Sequence, residues 1–183
     1  MKNLEDYIQN LKFEYAISYS GLRGQKYYNL EIENREEINI IKKKFQSARF
    51  MQKAKLNKRI EELKAEINPY NSRIINKKGE LHKSTKLVHK FEKEDKEIMS
   101  ILKILCSKFD EQVFAMCTPA LRDSIVFYSK RDKIVGILHI CFSCWWMKNE
   151  NGEDLEVDYR IFPLLKDKLI QVGHKIKDEI RSR

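Results

Sequence analysis

The chain has 183 residues, 42% of them hydrophobic and 34% charged, with a formal net charge of +9. That length suits one compact domain, or one domain with a helical projection, and excludes two full enzyme domains; the apolar fraction provides for a core and excludes wholesale disorder. The charge favours acidic partners: nucleic acid, an anionic membrane surface or an acidic protein. In chain order, residues 2–10 suit a short helix. Phe13, Tyr15, Ile17 and Tyr19 then alternate with the period of two expected of a strand. Ser20–Gly24 reads as a turn and Tyr27–Ile32 as a second strand, so 12–33 predicts a β-hairpin.

From Asn34 the period changes. Ile38, Ile41, Phe45, Ala48, Leu56, Ile60, Leu63 and Ile67 fall at three- and four-residue spacings, interrupted at Gln52 and ended by Pro69, which predicts one long helix. Residues 71–79 read as a polar linker, and 84–91 fit strand and helix equally well. Ile98, Ile101, Leu102 and Leu105 predict a helix over 94–108, paired antiparallel with the first as a helical hairpin. Ser124–Tyr128 and Ile134–Phe142 are β-branched and aromatic with a turn between them, a hairpin signature. A loop over 149–154 and a closing helix over 159–172, with Gly173 as its C′ residue, complete the chain. The expectation is an α+β fold: an N-terminal hairpin region (1–35), a basic helical hairpin (36–112) and a C-terminal cysteine-containing unit (113–183).

Counting charge by segment locates the excess. Residues 1–35 carry five basic and five acidic side chains, and 91–183 carry sixteen of each, whereas 36–90 carry fifteen basic against six acidic. Within that middle third Lys42, Lys43, Lys44, Arg49, Lys53, Lys55, Lys58 and Arg59 run without one acidic residue, and they are the candidate contacts to a polyanion or an acidic protein. The long helix is also a surface through which a homo-oligomer can form. No apolar stretch approaches the roughly 18 residues of a membrane span, and the acidic start MKNLEDYIQN is unlike a secretory signal, so a cytoplasmic protein without a membrane partner is expected.

Cytosolic cysteines are expected to be reduced thiols or metal ligands. Cys141 and Cys144 form a C-x-x-C pair, half of a zinc site, and Cys117, His139 and His174 are the candidate remaining ligands; Cys117 and His174 complete a Cys3His set. Along an uninterrupted strand Cys141 and Cys144 would point to opposite faces, so chelation requires the strand to end or bulge at Ser143. Two other readings stay open: buried cysteines packed as small hydrophobes, and a redox dithiol. Arg122 and Asp123 are a candidate anion-binding pair or a tie between a loop and the domain. One of Trp145 and Trp146 is expected in the core and the other at the surface, and His82 and His89 are expected to be solvated. Asp154, Glu156 and Asp158 read as a solvated acidic loop.

The run from Cys117 through Pro119, Arg122, Asp123, Phe127 and Tyr128, then Ile140-Cys141-Phe142-Ser143-Cys144 and Gly173-His174, resembles a pattern of small uncharacterised bacterial proteins. It covers the last 70 or so residues and implies that Cys117, Arg122, Asp123, Tyr128, Cys141, Cys144 and His174 belong to one unit. It implies no activity. Two readings follow: a non-enzymatic protein whose basic helical element engages nucleic acid or an acidic protein, with a zinc-stapled C-terminal unit, or a thiol- or metal-dependent enzyme centred on Cys117, Cys141, Cys144 and His174. Phosphate-loop, nucleophile-elbow and dinucleotide glycine patterns are absent from the sequence.

Overall fold

The computed structural model describes residues 2–107 and 117–176. Its elements are β1 (Lys2–Asn3), α1 (Leu4–Gln9), β2 (Tyr15–Ser20), α2 (Gly24–Ser47), α3 (Phe50–Glu66), β3 (Lys86–Glu92) and α4 (Lys96–Leu105). After residue 117 come β4 (Asp123–Tyr128), β5 (Ile134–Cys141), β6 (Trp146–Lys148), β7 (Leu155–Glu156) and α5 (Ile161–Gln171). Five strands pair antiparallel in the order β3-β2-β4-β5-β6, giving an α+β fold with a long helix and a C-terminal helix.

β4 lies at the centre of the sheet and is buried on both faces, which is why its sequence, DSIVFY, is apolar or aromatic from Ile125 onward and does not alternate. Ile125 and Phe127 point to one face with Leu138 and Ile140 of β5, where α1, α4 and α5 close the main core through Ile8, Ile98, Ile101, Phe162, Leu165 and Leu169. Val126 points to the other face with Tyr19 and Ile137, and there Ile74 and Ile75 of the segment between α3 and β3 cover it. Gly136 admits α1 to the first face: a Cβ there would stand 2.4 Å from Leu11 and 2.8 Å from the Tyr7 hydroxyl. Tyr7 uses that approach, accepting from Ile137 N–H at 3.0 Å and donating to Glu150 at 2.6 Å. Burial and the Glu150 carboxylate push its phenol well above the usual range.

Two expectations are corrected. Tyr27–Ile32 is not a strand but the start of α2, because Tyr27, Leu30, Asn34, Ile38 and Ile41 share one helical face. Its β-forming residues are overridden by what that face buries. The helix expected to run on to Pro69 instead breaks at Ala48 and Arg49, both extended, and α3 folds back on α2. The reason is burial: folded back, Ile38 and Ile41 pack against Ile60 and Leu63 with Leu56 beside them, whereas one straight helix would leave both half-stripes in water. The basic hairpin is therefore α2 with α3, and the second helix expected in it, now α4, packs on α1 and α5. The expected boundary at residue 35 falls inside α2; that at 112, and Lys108 at the end of the expected helix, lie outside the described residues. The ambiguous stretch 84–91 enters β3 at Lys86, and α5 ends just before Gly173, which takes φ +106°.

Candidate functional site

The α2–α3 hairpin is polarised along its length. Arg59, near the middle, is bidentate to Glu37 across the hairpin at 2.8 and 3.2 Å and also approaches Glu62, so it belongs to the internal ties. Glu37 is held below the usual carboxylate range by the Arg59 hydrogen bonds. Beyond it, Lys42, Lys43, Lys44, Arg49, Lys55 and Lys58 are exposed and, among the described residues, have no carboxylate partner. Lys53 lies over the Phe45 ring at 5.3 Å. At the turn itself Phe50 is 87% and Met51 75% exposed, the most exposed large apolar side chains among the described residues. Cations with two apolar side chains at a projecting tip suit a surface that is anionic and offers something to stack or wedge against.

The C-terminal unit is built differently from the expected metal site. β5 ends at Cys141, and residues 142–145 turn into β6 with Trp145 at φ +51°, so the chain does leave the strand before Ser143. Cys144, however, is disulfide-bonded to Cys117, 27 residues away with the Cα atoms 6.1 Å apart. Cys141 stays a free, buried thiol 3.3 Å from the Ser143 hydroxyl, packed with Leu121, Cys144, Cys117 and Trp146. The expectation of reduced thiols or metal ligands is thereby corrected at Cys117 and Cys144: a partner distant in sequence claims one thiol of the C-x-x-C pair. Cys106 is free, half-buried, and raised by burial above the usual thiol range.

His174 does not join the cysteines. Its Nδ1 donates to Asp123 Oδ1 at 2.8 Å, on the sheet face that Asp123 shares with Ile140, and Cys141 is the next residue of β5 and points to the opposite face. The sheet separates the expected Cys3His ligands, and among the described residues no three His, Cys, Asp or Glu side chains are gathered as a metal set. The donor set therefore does not fit a four-ligand zinc.

Asp123 is a buried junction. Its second oxygen takes Arg23 Nη2, and Arg23 also reaches the Lys175 carbonyl at 3.4 Å, so one carboxylate ties the start of α2 and the segment after α5 to β4. Nδ1 of His174 thus carries a proton, and among the described residues its Nε2 is buried without a hydrogen-bond partner. On the opposite face Ser124 Oγ lies 2.9 Å from His139 Nδ1, and burial, with Arg73 nearby, pushes His139 down to about 3. Of the pair singled out in the sequence, Asp123 engages Arg23 and His174, while the Arg122 carbonyl accepts from Gly21 N–H at 3.1 Å. Sequence reasoning missed Arg23, which no local motif marks and which lies 100 residues from its partner.

Trp146 is half-buried and donates to Asp154, while Trp145 is exposed and lies against Tyr159. His82 is not solvated: it bridges Ser84 and the Glu66 carbonyl, at 2.8 and 2.9 Å. His89 packs on Phe91 at 4.5 Å. Asp154 pairs with Lys148 and Asp158 with Arg160, so the acidic loop is tied internally. Compared with protein-family models, curated proteins and solved structures, the chain has no match in any of the three. No helix among the described residues is long and apolar enough to cross a membrane.

Proposed function

We propose that the chain is a non-enzymatic binding protein whose α2–α3 tip engages an acidic macromolecule, nucleic acid or an acidic protein surface. The observation that carries this reading is the tip itself: six exposed cations without a carboxylate partner among the described residues, around Phe50 and Met51. Lysine suits such a site as a phosphate or carboxylate point charge. The competing reading, a thiol- or metal-dependent enzyme on Cys117, Cys141, Cys144 and His174, has less support, because Cys117 and Cys144 are bonded to each other and His174 is committed to Asp123.

Fluorescence anisotropy with a labelled single strand, a duplex of equal length and polyglutamate, each across a salt series, tests it. If all six cations meet phosphates, log K against log salt falls with a slope of about −4 on the single strand. Reversing Lys42, Lys43, Lys44, Arg49 and Lys53 to Glu abolishes binding while the far-UV circular dichroism and melting temperature hold. Binding that is flat across the salt series rejects the reading.

A further inference from the structure

The outer face of α2, turned away from α3, carries Tyr28 (56% exposed), Ile32 (39%) and Ile40 (53%) along one i, i+4 row. Glu36 occupies the gap in this row, and neither Glu36 nor Lys44 has an ion-pair partner among the described residues. The two lie four residues before and four after Ile40. The hairpin is also a dipole: residues 42–59 hold eight basic and no acidic side chains, whereas residues 24–41 hold four acidic and two basic, and 60–66 three acidic and one basic. A basic tip and an acidic root on one rod are complementary to the same rod reversed.

We infer that the acidic partner of the tip is a second copy of this chain, packed antiparallel through α2 about a two-fold axis at Ile40. The inference rests on the reading that the tip engages an acidic surface, and it names that surface as the root of a second hairpin. With Ile40 on the axis, Glu36 of each copy meets Lys44 of the other, so one register makes both pairs, as a self-complementary interface requires. At 1.5 Å per residue Ile32 and Tyr28 lie about 12 and 18 Å from the axis. The tip beyond Ala48 begins about 12 Å away on the other side, which sets it level with Ile32 and Tyr28 of the partner copy. The arrangement buries the apolar row that the monomer leaves in water and pairs the charges that it leaves single.

Sedimentation equilibrium of the full chain at low and high salt tests this. The wild type is expected to be a dimer that salt weakens. Glu36→Lys and Lys44→Glu each place like charges across the axis and weaken dimerisation about tenfold or more, Ile40→Glu abolishes it, and the double variant E36K/K44E restores it. Circular dichroism melts confirm that each variant folds. A monomeric wild type, or single reversals without effect, or a double variant that fails to recover, overturns the inference. The anisotropy series separates the two failures: a monomer that still binds the oligonucleotide or polyglutamate defeats this dimer and leaves the tip reading standing, whereas a monomer that binds neither defeats both.

Discussion

His139 gives the body of the protein an acid-labile point whose size follows from its surroundings. The ring is fully buried in the sheet, one nitrogen faces Ser124 at 2.9 Å, the other has no partner among the described residues, and burial holds its protonation down at about 3, against 6.5 for a free histidine. The folded pKa is depressed, so the unfolded chain takes up the proton first. The stability contributed by the neutral ring is present above pH 6.5 and is lost as pH falls towards 3. Between pH 7 and pH 4.5 the loss is about 2.5 kcal/mol, which lowers the melting temperature of a chain of this length by about 5–10 °C. His139→Gln keeps a hydrogen-bonding group beside Ser124 and removes the titration. Urea unfolding followed by far-UV circular dichroism, at a series of pH values, should give a variant curve flatter than wild type by that amount. Every other titrating group is shared, so the difference curve isolates this ring, and parallel curves would refute the reasoning.

Two further perturbations probe the junctions of the fold. Gly136→Ala puts a methyl group 2.4 Å from Leu11 and 2.8 Å from the Tyr7 hydroxyl, so it should cost about 1–3 kcal/mol in urea unfolding and detach α1 from the sheet, read as a rise in Tyr7 solvent accessibility. Asp123→Asn leaves Arg23 or His174 facing an NH2 group where an acceptor stood, and unfolding should show a loss of about 3–5 kcal/mol; Arg23→Met, at the partly exposed end of the pair, should cost less.

The elements legible in the sequence are those whose local preference and tertiary surroundings agree. β4 and β5 are β-branched, aromatic and joined by a polar turn, and their environment asks for a buried hairpin; α5 ends where a glycine permits φ +106°. The misread elements are those where the surroundings win. Tyr27, Tyr28 and Ile32 are strand-forming residues, but a helix half-buries Tyr27 and buries Leu30 and Asn34 on one side, and only a partner helix about 30 residues on makes that side worth burying. The site residues divide in the same way. The basic run is contiguous and therefore visible, whereas Arg23 and His174 meet Asp123 across 100 and 51 residues, and Cys144 turns from its neighbour Cys141 to Cys117. Spacing rules see what is close along the chain, and these contacts are close only in space.

The root of the hairpin explains why tip and body can be perturbed separately. A helical pair whose own core is Ile38, Ile41, Ile60 and Leu63 is too small to hold its shape unaided. It is fixed where it meets the body: Lys26 reaches the Thr85 carbonyl at 2.9 Å, Lys83 pairs with Glu66 at 2.8 Å, and His82 donates from Nε2 to the Glu66 carbonyl while Nδ1 accepts from Ser84 N–H; Tyr27, donating to the Ile67 carbonyl, clasps the two helices together there. Each tie involves the first turn of α2 or the end of α3, and Asp123 anchors the preceding residue, Arg23, to the central strand. All of these lie at the opposite end of the hairpin from Lys42, Lys43, Lys44 and Arg49. The charge that marks the tip therefore contributes nothing to holding the hairpin on the sheet. At this tip like-charged side chains stand close together, which costs stability at low ionic strength. A free-standing cluster of that kind gains free energy only when an acidic surface meets it.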